Sequence, residues 1–360
     1  MTYTSAEELT LMPSEFTPGK VTWQSPSNIA LIKYWGKRDV QIPMNPSVSF
    51  TLKNCYTEMT AEYTYNGSGK VSLEFYFEGK RNEKFEGKIR KFLESQTDNL
   101  PYLAQIHLKI SSQNTFPHSA GIASSASSMS ALALCICSIE RNLFGTLSNE
   151  SEFLRRASEL SRLASGSASR SIYGGLVIWG KIEGLSDSSD EFASPLQSPI
   201  HPIFKTYRDT VIICDSGEKS VSSRAGHGLM NSNPFAERRF LQANENMAII
   251  LKAIEEGDTG TFGRIVENEA LTLHAMMMTS DPYFILMKPK SLEVIDKIVK
   301  FREQSGTVMC YTLDAGPNIH LLYPENEAEK VNKFLESEIS LPLHHTSLIN
   351  DLVGNGPVEL

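Results

Sequence analysis

The chain has 360 residues, 41% hydrophobic and 21% charged, with 34 basic and 42 acidic side chains and a formal net charge of −8. That is longer than the roughly 250 to 300 residues over which one core keeps growing, so two packed domains are expected, and the composition excludes a mostly disordered chain. An acidic balance without a long basic run argues against a nucleic-acid surface and for a small-molecule partner.

The five cysteines are odd in number and lack paired metal-ligand spacing, so a reducing, cytoplasmic compartment is expected. No apolar run approaches the roughly 20 residues of a membrane span, and the start of the chain is acidic where a signal peptide would be basic, so the protein is read as soluble and unprocessed. Residues 1–18, with Pro13 and Pro18, read as an arm ahead of the first strand.

Val21-Thr22-Trp23 leads into the apolar run Asn28 to Lys33, which breaks at Gly36. A strand is expected there, followed by a loop carrying Lys33, Tyr34, Lys37 and Arg38. Val48 to Leu52, Glu58 to Tyr65 and Val71 to Phe77 alternate apolar with polar residues, as half-buried antiparallel strands do, with Gly67-Ser68-Gly69 turning between the last two. Asn82 to Ser95 has helical spacing, His107 to Ile110 is another strand, and Met129 to Ile139 is a buried helix behind a Gly/Ser loop. Glu152 to Leu163 repeats the helical pattern, and Tyr173 to Trp179 reads as a strand. Glu183 to Pro202, rich in Ser, Asp and Pro, is a boundary or edge loop. Beyond it come a strand at Thr210 to Cys214 and helices at Pro234 to Glu256, Phe262 to Met278 and Ser291 to Ser305. Two strands, Val308 to Leu313 and Ile319 to Tyr323, flank Asp314, and Glu325 to Glu338 closes with a helix. Antiparallel strands mixed with helices in both halves make the fold class α+β.

Five segments carry candidate chemistry. The small residues of Pro117 to Ser128, including Ser119, Gly121, Ser124, Ser125 and Ser127, open onto the buried helix, where backbone N–H groups and the helix dipole suit a phosphate. A small-residue helix start against a sheet accounts for the same pattern, and no Walker lysine follows. Lys33, Lys37 and Arg38 place three cations in six residues, which suits an anionic substrate or a solvated loop. Arg170, amid Ser165, Gly166, Ser167, Ala168 and Ser169, is sterically free for a two-pronged contact with a carboxylate or phosphate, or faces water from a Ser-rich turn. Asp314, ending an apolar strand ahead of Ala315-Gly316-Pro317-Asn318, stands where function often sits, though turn aspartates also serve local hydrogen bonding. Lys219 to Arg224 again mixes hydroxyls with cations.

Together these segments resemble the diphosphomevalonate decarboxylases of the GHMP kinase superfamily. Asn28-Ile29-Ala30 through Asp39 is similar to the family's most recognisable stretch, Ala120 to Ala126 to its ATP loop, Ser165 to Ser171 to its substrate loop and Asp314 to Asn318 to its catalytic turn, in family order. The resemblance implies a two-domain GHMP kinase fold: an arm at 1–18, an N-terminal α/β domain at 19–200 and a ferredoxin-like C-terminal domain at 201–360, with the active site in the cleft between them. It implies a homodimer that uses ATP and Mg²⁺ to phosphorylate the tertiary hydroxyl of mevalonate 5-diphosphate, with loss of phosphate and carbon dioxide to give isopentenyl diphosphate.

By the same resemblance Asp314, Lys33 and Arg170 are catalytic, Arg170 holding the substrate carboxylate. Tyr34, Lys37, Ser165, Ser167, Ser223 and Arg224 bind substrate, and Ser119, Gly121, Ser124, Ser125, Ser127 and Lys219 handle ATP, with Mg²⁺ carried by the nucleotide and Ser125 its candidate protein contact. His227 stands where the family has methionine, Pro46 where it has a small hydroxyl residue and Ser169 where cysteine is frequent. His227 bears on diphosphate against monophosphate as substrate. A phosphomevalonate decarboxylase, a kinase that does not decarboxylate and a non-catalytic metabolite-binding protein are the alternatives. His118, His227 and His274 lack metal-ligand spacing and are expected to be hydrogen-bonding histidines.

Overall fold

In the computed structural model, which describes residues 5–117, 122–217, 223–343 and 346–360 (the side chains of Glu15, Ser223 and Arg224 excepted), two long strands organise the first half. β1 (Gly19–Ile32) pairs antiparallel with β4 (Ser47–Tyr65), and a small hairpin, β2 (Lys37–Arg38) with β3 (Ile42–Pro43), lies between them in sequence. Val48 to Leu52 and Glu58 to Tyr65, expected as separate strands, are two parts of β4. Its first half is buried on both faces and its second alternates, because a second layer covers only the first. The β1/β4 register shifts between Pro26 and Asn28 and again between Ala30 and Ile32. Such bulges bend a strand and re-aim its side chains, here just before Lys33.

β5 (Ser72–Phe77) runs parallel to β7 (Ile106–Asn114), which itself pairs with β4. The antiparallel pairing expected around Gly67-Ser68-Gly69 is thus replaced, since alternation reveals a buried face but not a partner. β6 (Lys80–Arg81), β8 (Leu176–Trp179) and β9 (Ala193–Pro195) complete this sheet together with β14 (Val358–Glu359), which returns from the C-terminus to pair with β1. Packed on the sheet are α1 (Glu83–Glu94), α2 (Ser124–Phe144) and α3 (Glu150–Ala164). Asn82 and Asn149 cap α1 and α3 by accepting first-turn N–H groups. α2 is buried nearly all round, and its serines bond the strand beneath: Trp23 Nε1 donates to Ser138 at 2.9 Å and Ser25 meets Ser130 at 2.6 Å. The arm packs on this lobe, with Leu9 and Leu11 buried and the Leu11 N–H donating to Gln105 at 2.8 Å.

The second sheet is antiparallel throughout, in the order β11 (Cys310–Thr312), β12 (Ile319–Tyr323), β10 (Arg208–Ile212), β13 (Leu348–Leu352). α4 (Ser223–Leu229), α5 (Ala236–Glu256), α6 (Thr259–Met278) and α7 (Pro289–Ser305) precede β11, and α8 (Ala328–Phe334) lies between β12 and β13. This is a ferredoxin-like βαββαβ arrangement with an enlarged first helical connection. α5 and α7 end at Gly257 and Gly306, both at positive φ, where a Cβ would be strained.

The sheets meet at the β4/β13 corner. Asp351 accepts the N–H groups of Lys53, Asn54 and Cys55 at 2.9, 2.8 and 2.7 Å. A shared apolar cluster, with Ile29, Leu31 and Phe50 from one half and Tyr207, Met247 and Phe262 from the other, fills the seam above it. Lys33 and Asp314 come together at this seam.

Candidate active site

β1 delivers Lys33 into the interior, where it is 1% exposed and its ammonium donates to Asp314 Oδ1 at 2.8 Å. Burial pushes the Lys33 pKa down; Asp314 and Glu269 oppose that shift, while Arg170 adds to it. The Asp314 turn is held by its main chain. Its carbonyl accepts from the Gly316 N–H at 2.7 Å and from His274 Nε2 at 3.1 Å, and the Pro317 carbonyl accepts from Ser291 at 2.6 Å. Burial lowers the His274 pKa to about 4, so the ring is neutral with its proton on Nε2.

Arg170 lies in a 3-10 segment, Gly166–Ile172, whose small residues let the chain lie tight against β1 and β4. Only 2% exposed, its guanidinium donates to Ser47 at 2.6 Å, Ser49 at 3.1 Å and Asn28 Oδ1 at 3.4 Å, all neutral oxygens. Burial brings its pKa down to about 10, against the pull of Asp314 and Tyr34. A guanidinium held this way keeps its charge and presents it to an anion in the seam.

Next to it, Tyr34 stacks edge-on against Trp179, with centroids 4.6 Å apart, and donates to Gln41 at 3.4 Å. Lys37 donates to the same Gln41 oxygen at 3.1 Å. A Cβ on Gly166 would lie 2.7 Å from the Trp179 ring and 2.9 Å from the Tyr34 ring and hydroxyl, so glycine lets the Gly166–Ile172 segment pack tight against both rings. Ser165 and Ser167 are half-buried beside it. His227 lies between the rings of Tyr34 and Trp35, at 4.3 and 4.6 Å, and its Nδ1 accepts the Gly36 N–H at 3.0 Å. Burial first and Lys37 second bring its pKa down to about 3, so it is a neutral histidine protonated on Nε2. Ser223 and Arg224 begin α4, the helix that carries His227, while Lys219, Ser119 and Gly121, like His118, lie outside the described residues.

At the start of α2, Ala123 has a left-handed backbone, φ 40°, and no side chain caps the helix. Half-buried Ser124 and exposed Ser125 flank these uncapped N–H groups, which suits an anion. Ser127 instead points inward and is fully buried, 2.6 Å from Thr57 Oγ1 and donating to the Ser124 carbonyl at 3.3 Å. Among the described residues no group of three or more His, Cys, Asp or Glu side chains is placed to hold a metal ion.

Several members of the site are absent from the sequence expectation. Ser47 and Ser49 alternate with Val48 and Phe50 along β4, and this polar stripe in a buried strand was the available signal. Asn28 stands in a recognised stretch without an assigned role. Glu269 and Arg239, which grip the Lys33 main chain, look in sequence like ordinary helix charges.

Comparison with known proteins bears on this geometry. Residues 25–190 match the diphosphomevalonate decarboxylase-like N-terminal domain and residues 210–353 the mevalonate 5-diphosphate decarboxylase C-terminal domain. The chain belongs to the diphosphomevalonate decarboxylase family. The Saccharomyces cerevisiae diphosphomevalonate decarboxylase is 34% identical over 326 residues, 85% of this chain and 78% of that one. A structure of MDDEF in complex with MVAPP, AMPPCP and magnesium is 30% identical with a TM-score of 0.81, covering 96% of this chain and 99% of that one. The Staphylococcus aureus mevalonate diphosphate decarboxylase is 28% identical with a TM-score of 0.81, covering 96% and 98%. The two-domain α+β fold of the decarboxylase family is thus the fold found here, and among the described residues no helix is long and apolar enough to cross a membrane.

Proposed function

We propose that the protein decarboxylates mevalonate 5-diphosphate to isopentenyl diphosphate at the expense of ATP, releasing ADP, phosphate and carbon dioxide. The observation that carries this reading is the contact of buried Lys33 with the half-buried Asp314 carboxylate, with Arg170 beside it: a base for a hydroxyl and a cation for a carboxylate. The MVAPP, AMPPCP and magnesium of the solved neighbour support the same substrates here.

In this reading Asp314 accepts the proton of the tertiary hydroxyl as its oxygen attacks the γ-phosphorus and ADP leaves. Lys33 offsets charge at the aspartate and holds it in place. Arg170 orients the carboxylate at the seam. The phosphate then departs with the C–O electron pair, positive charge builds on the tertiary carbon, and a carboxylate beside it is stabilising. The C–C bond to the carboxylate breaks, its electrons form the alkene and carbon dioxide is released.

Tyr34, Lys37, Ser165, Ser167, Ser223 and Arg224 hold the substrate diphosphate, while Ser119, Gly121, Ser124, Ser125 and Lys219 receive ATP and Ser127 braces the first turn of α2. Magnesium bound with the nucleotide would neutralise charge on the phosphates, with Ser124 and Ser125 facing it. The division near residue 200 is part of the same proposal. So is a cytoplasmic homodimer: the five cysteines are unpaired, and exposed Leu241, Ile249, Leu271 and Met278 on α5 and α6 offer a surface that a second copy would cover.

Replacing Asp314 by Asn preserves its size and removes its charge. Turnover should fall by about a thousandfold or more, with ATP and substrate affinities by calorimetry within about threefold. A variant that keeps a tenth of the activity overturns the role given to Asp314.

A further inference from the structure

Behind the Lys33–Asp314 pair stands a buried polar network with no part in the chemistry so far. The Lys33 N–H donates to Glu269 Oε2 at 2.9 Å, and the Lys33 carbonyl accepts from Arg239 at 3.3 Å and from Asn45 at 3.0 Å. Glu269 is clamped in turn: Arg239 donates to both of its oxygens, at 3.0 and 2.5 Å, and Asn246 donates to Oε1 at 2.7 Å. Both side chains of that ion pair have zero exposure. The helix that carries Glu269 also carries His274, whose Nε2–H donates to the Asp314 carbonyl at 3.1 Å. One helix therefore holds the main chains of both partners, one from each sheet.

We propose that α6 is the element that sets the Lys33–Asp314 spacing, with Glu269, braced by Arg239, and His274 acting as positioning residues for the reaction. This rests on the reading of Lys33 and Asp314 as the catalytic pair. A main chain gripped at both N–H and C=O fixes the root of the Lys33 side chain, and burial with the bond to Asp314 holds the rest, so the ammonium is in place beside Asp314 at each turnover. A network that served folding alone would have no reason to converge on these two residues from one helix.

Glu269 has a second, electrostatic consequence. The charged and titratable groups facing Lys33 are Asp314 from the turn after β11, Glu269 and His274 from α6, Arg239 from α5 and Arg170 from the 3-10 segment. Asp314 and Glu269 favour the ammonium, while burial and Arg170 oppose it. Neutralising Glu269 removes one of the two anions, so Lys33 loses its proton at lower pH.

The test is the pH profile of kcat/KM, with ADP release as the assay and melting as the check on folding. Glu269→Gln keeps an oxygen for the Lys33 N–H, and its basic limb should move down by about one pH unit. His274→Leu should lower kcat about tenfold at unchanged KM with the basic limb in place, and His274→Gln, which keeps a donor, should recover most of that loss. Should Glu269→Gln not fold, the double variant Arg239→Met, Glu269→Gln removes both charges together, and its kcat should fall about tenfold at unchanged KM. A basic limb and kcat in Glu269→Gln equal to wild type, or wild-type kcat in His274→Leu or in the double variant, overturns the inference. Asp314→Asn in the same series separates the two failures: loss of turnover there leaves the catalytic pair standing, whereas retained turnover brings down the pair itself.

Discussion

Arg170 and Arg239 are both among the largest fully buried side chains of the molecule, and their surroundings differ. Arg239 is matched by a carboxylate on the neighbouring helix, two bonds to one Glu269. Arg170 is bonded to two serine hydroxyls and an amide oxygen. A buried cation paired inside the fold belongs to the fold; one held by neutral oxygens is available to a ligand. The contrast separates scaffold from site without reference to sequence motifs, and it makes opposite forecasts for the two residues.

The largest effect is expected at Arg239. Arg239→Met strands the Glu269 charge in the interior, and urea denaturation should show a loss of about 3–5 kcal/mol. Adding Glu269→Gln should restore most of it. For Arg170→Met the order reverses: stability should stay within about 1 kcal/mol of wild type, because the lost bonds are offset by relief from burying a charge, while kcat/KM falls about a hundredfold. Equal stability losses for the two arginines would break the comparison.

A smaller effect concerns pH. His227 and His274 are buried and neutral, with pKa values brought down from 6.5 to about 3 and about 4. The unfolded chain binds protons at these histidines before the folded one does, so their contribution is complete above about pH 6.5 and is lost as pH falls to about 4 for His274 and about 3 for His227. Melting temperature should drop through that window, and less steeply in His227→Gln. The smallest effect is kinetic: His227→Gln, free of the ring contacts with Tyr34 and Trp35, should raise the substrate KM about threefold with kcat little changed.

Much of this was legible in the sequence. The fold class and the order of the helices follow from periodicity, which is local, whereas the grouping of Lys33, Arg170 and Asp314 comes from the resemblance of four motifs, in order, to one family. What escaped was set by distant partners. β13 and β14 are short, and their pairing with β10 and β1 depends on the chain returning to a sheet formed much earlier. β7 inserts beside β4, a choice of neighbour that alternation along β4 and β5 does not encode. Arg239 and Glu269 sit among other charged residues of α5 and α6, and only the approach of those helices to β1 distinguishes them. Ser127 shares a serine run with Ser124 and Ser125, yet helical rotation turns its hydroxyl onto Thr57.

The central claim, decarboxylation coupled to ATP, is tested most directly by product stoichiometry. Purified protein is given magnesium, ATP and either mevalonate 5-diphosphate or mevalonate 5-phosphate, and ADP, phosphate and carbon dioxide are measured together. The expected result is one phosphate and one carbon dioxide for each ADP, with the diphosphate strongly preferred. ADP without carbon dioxide, or a preference for the monophosphate, would contradict it.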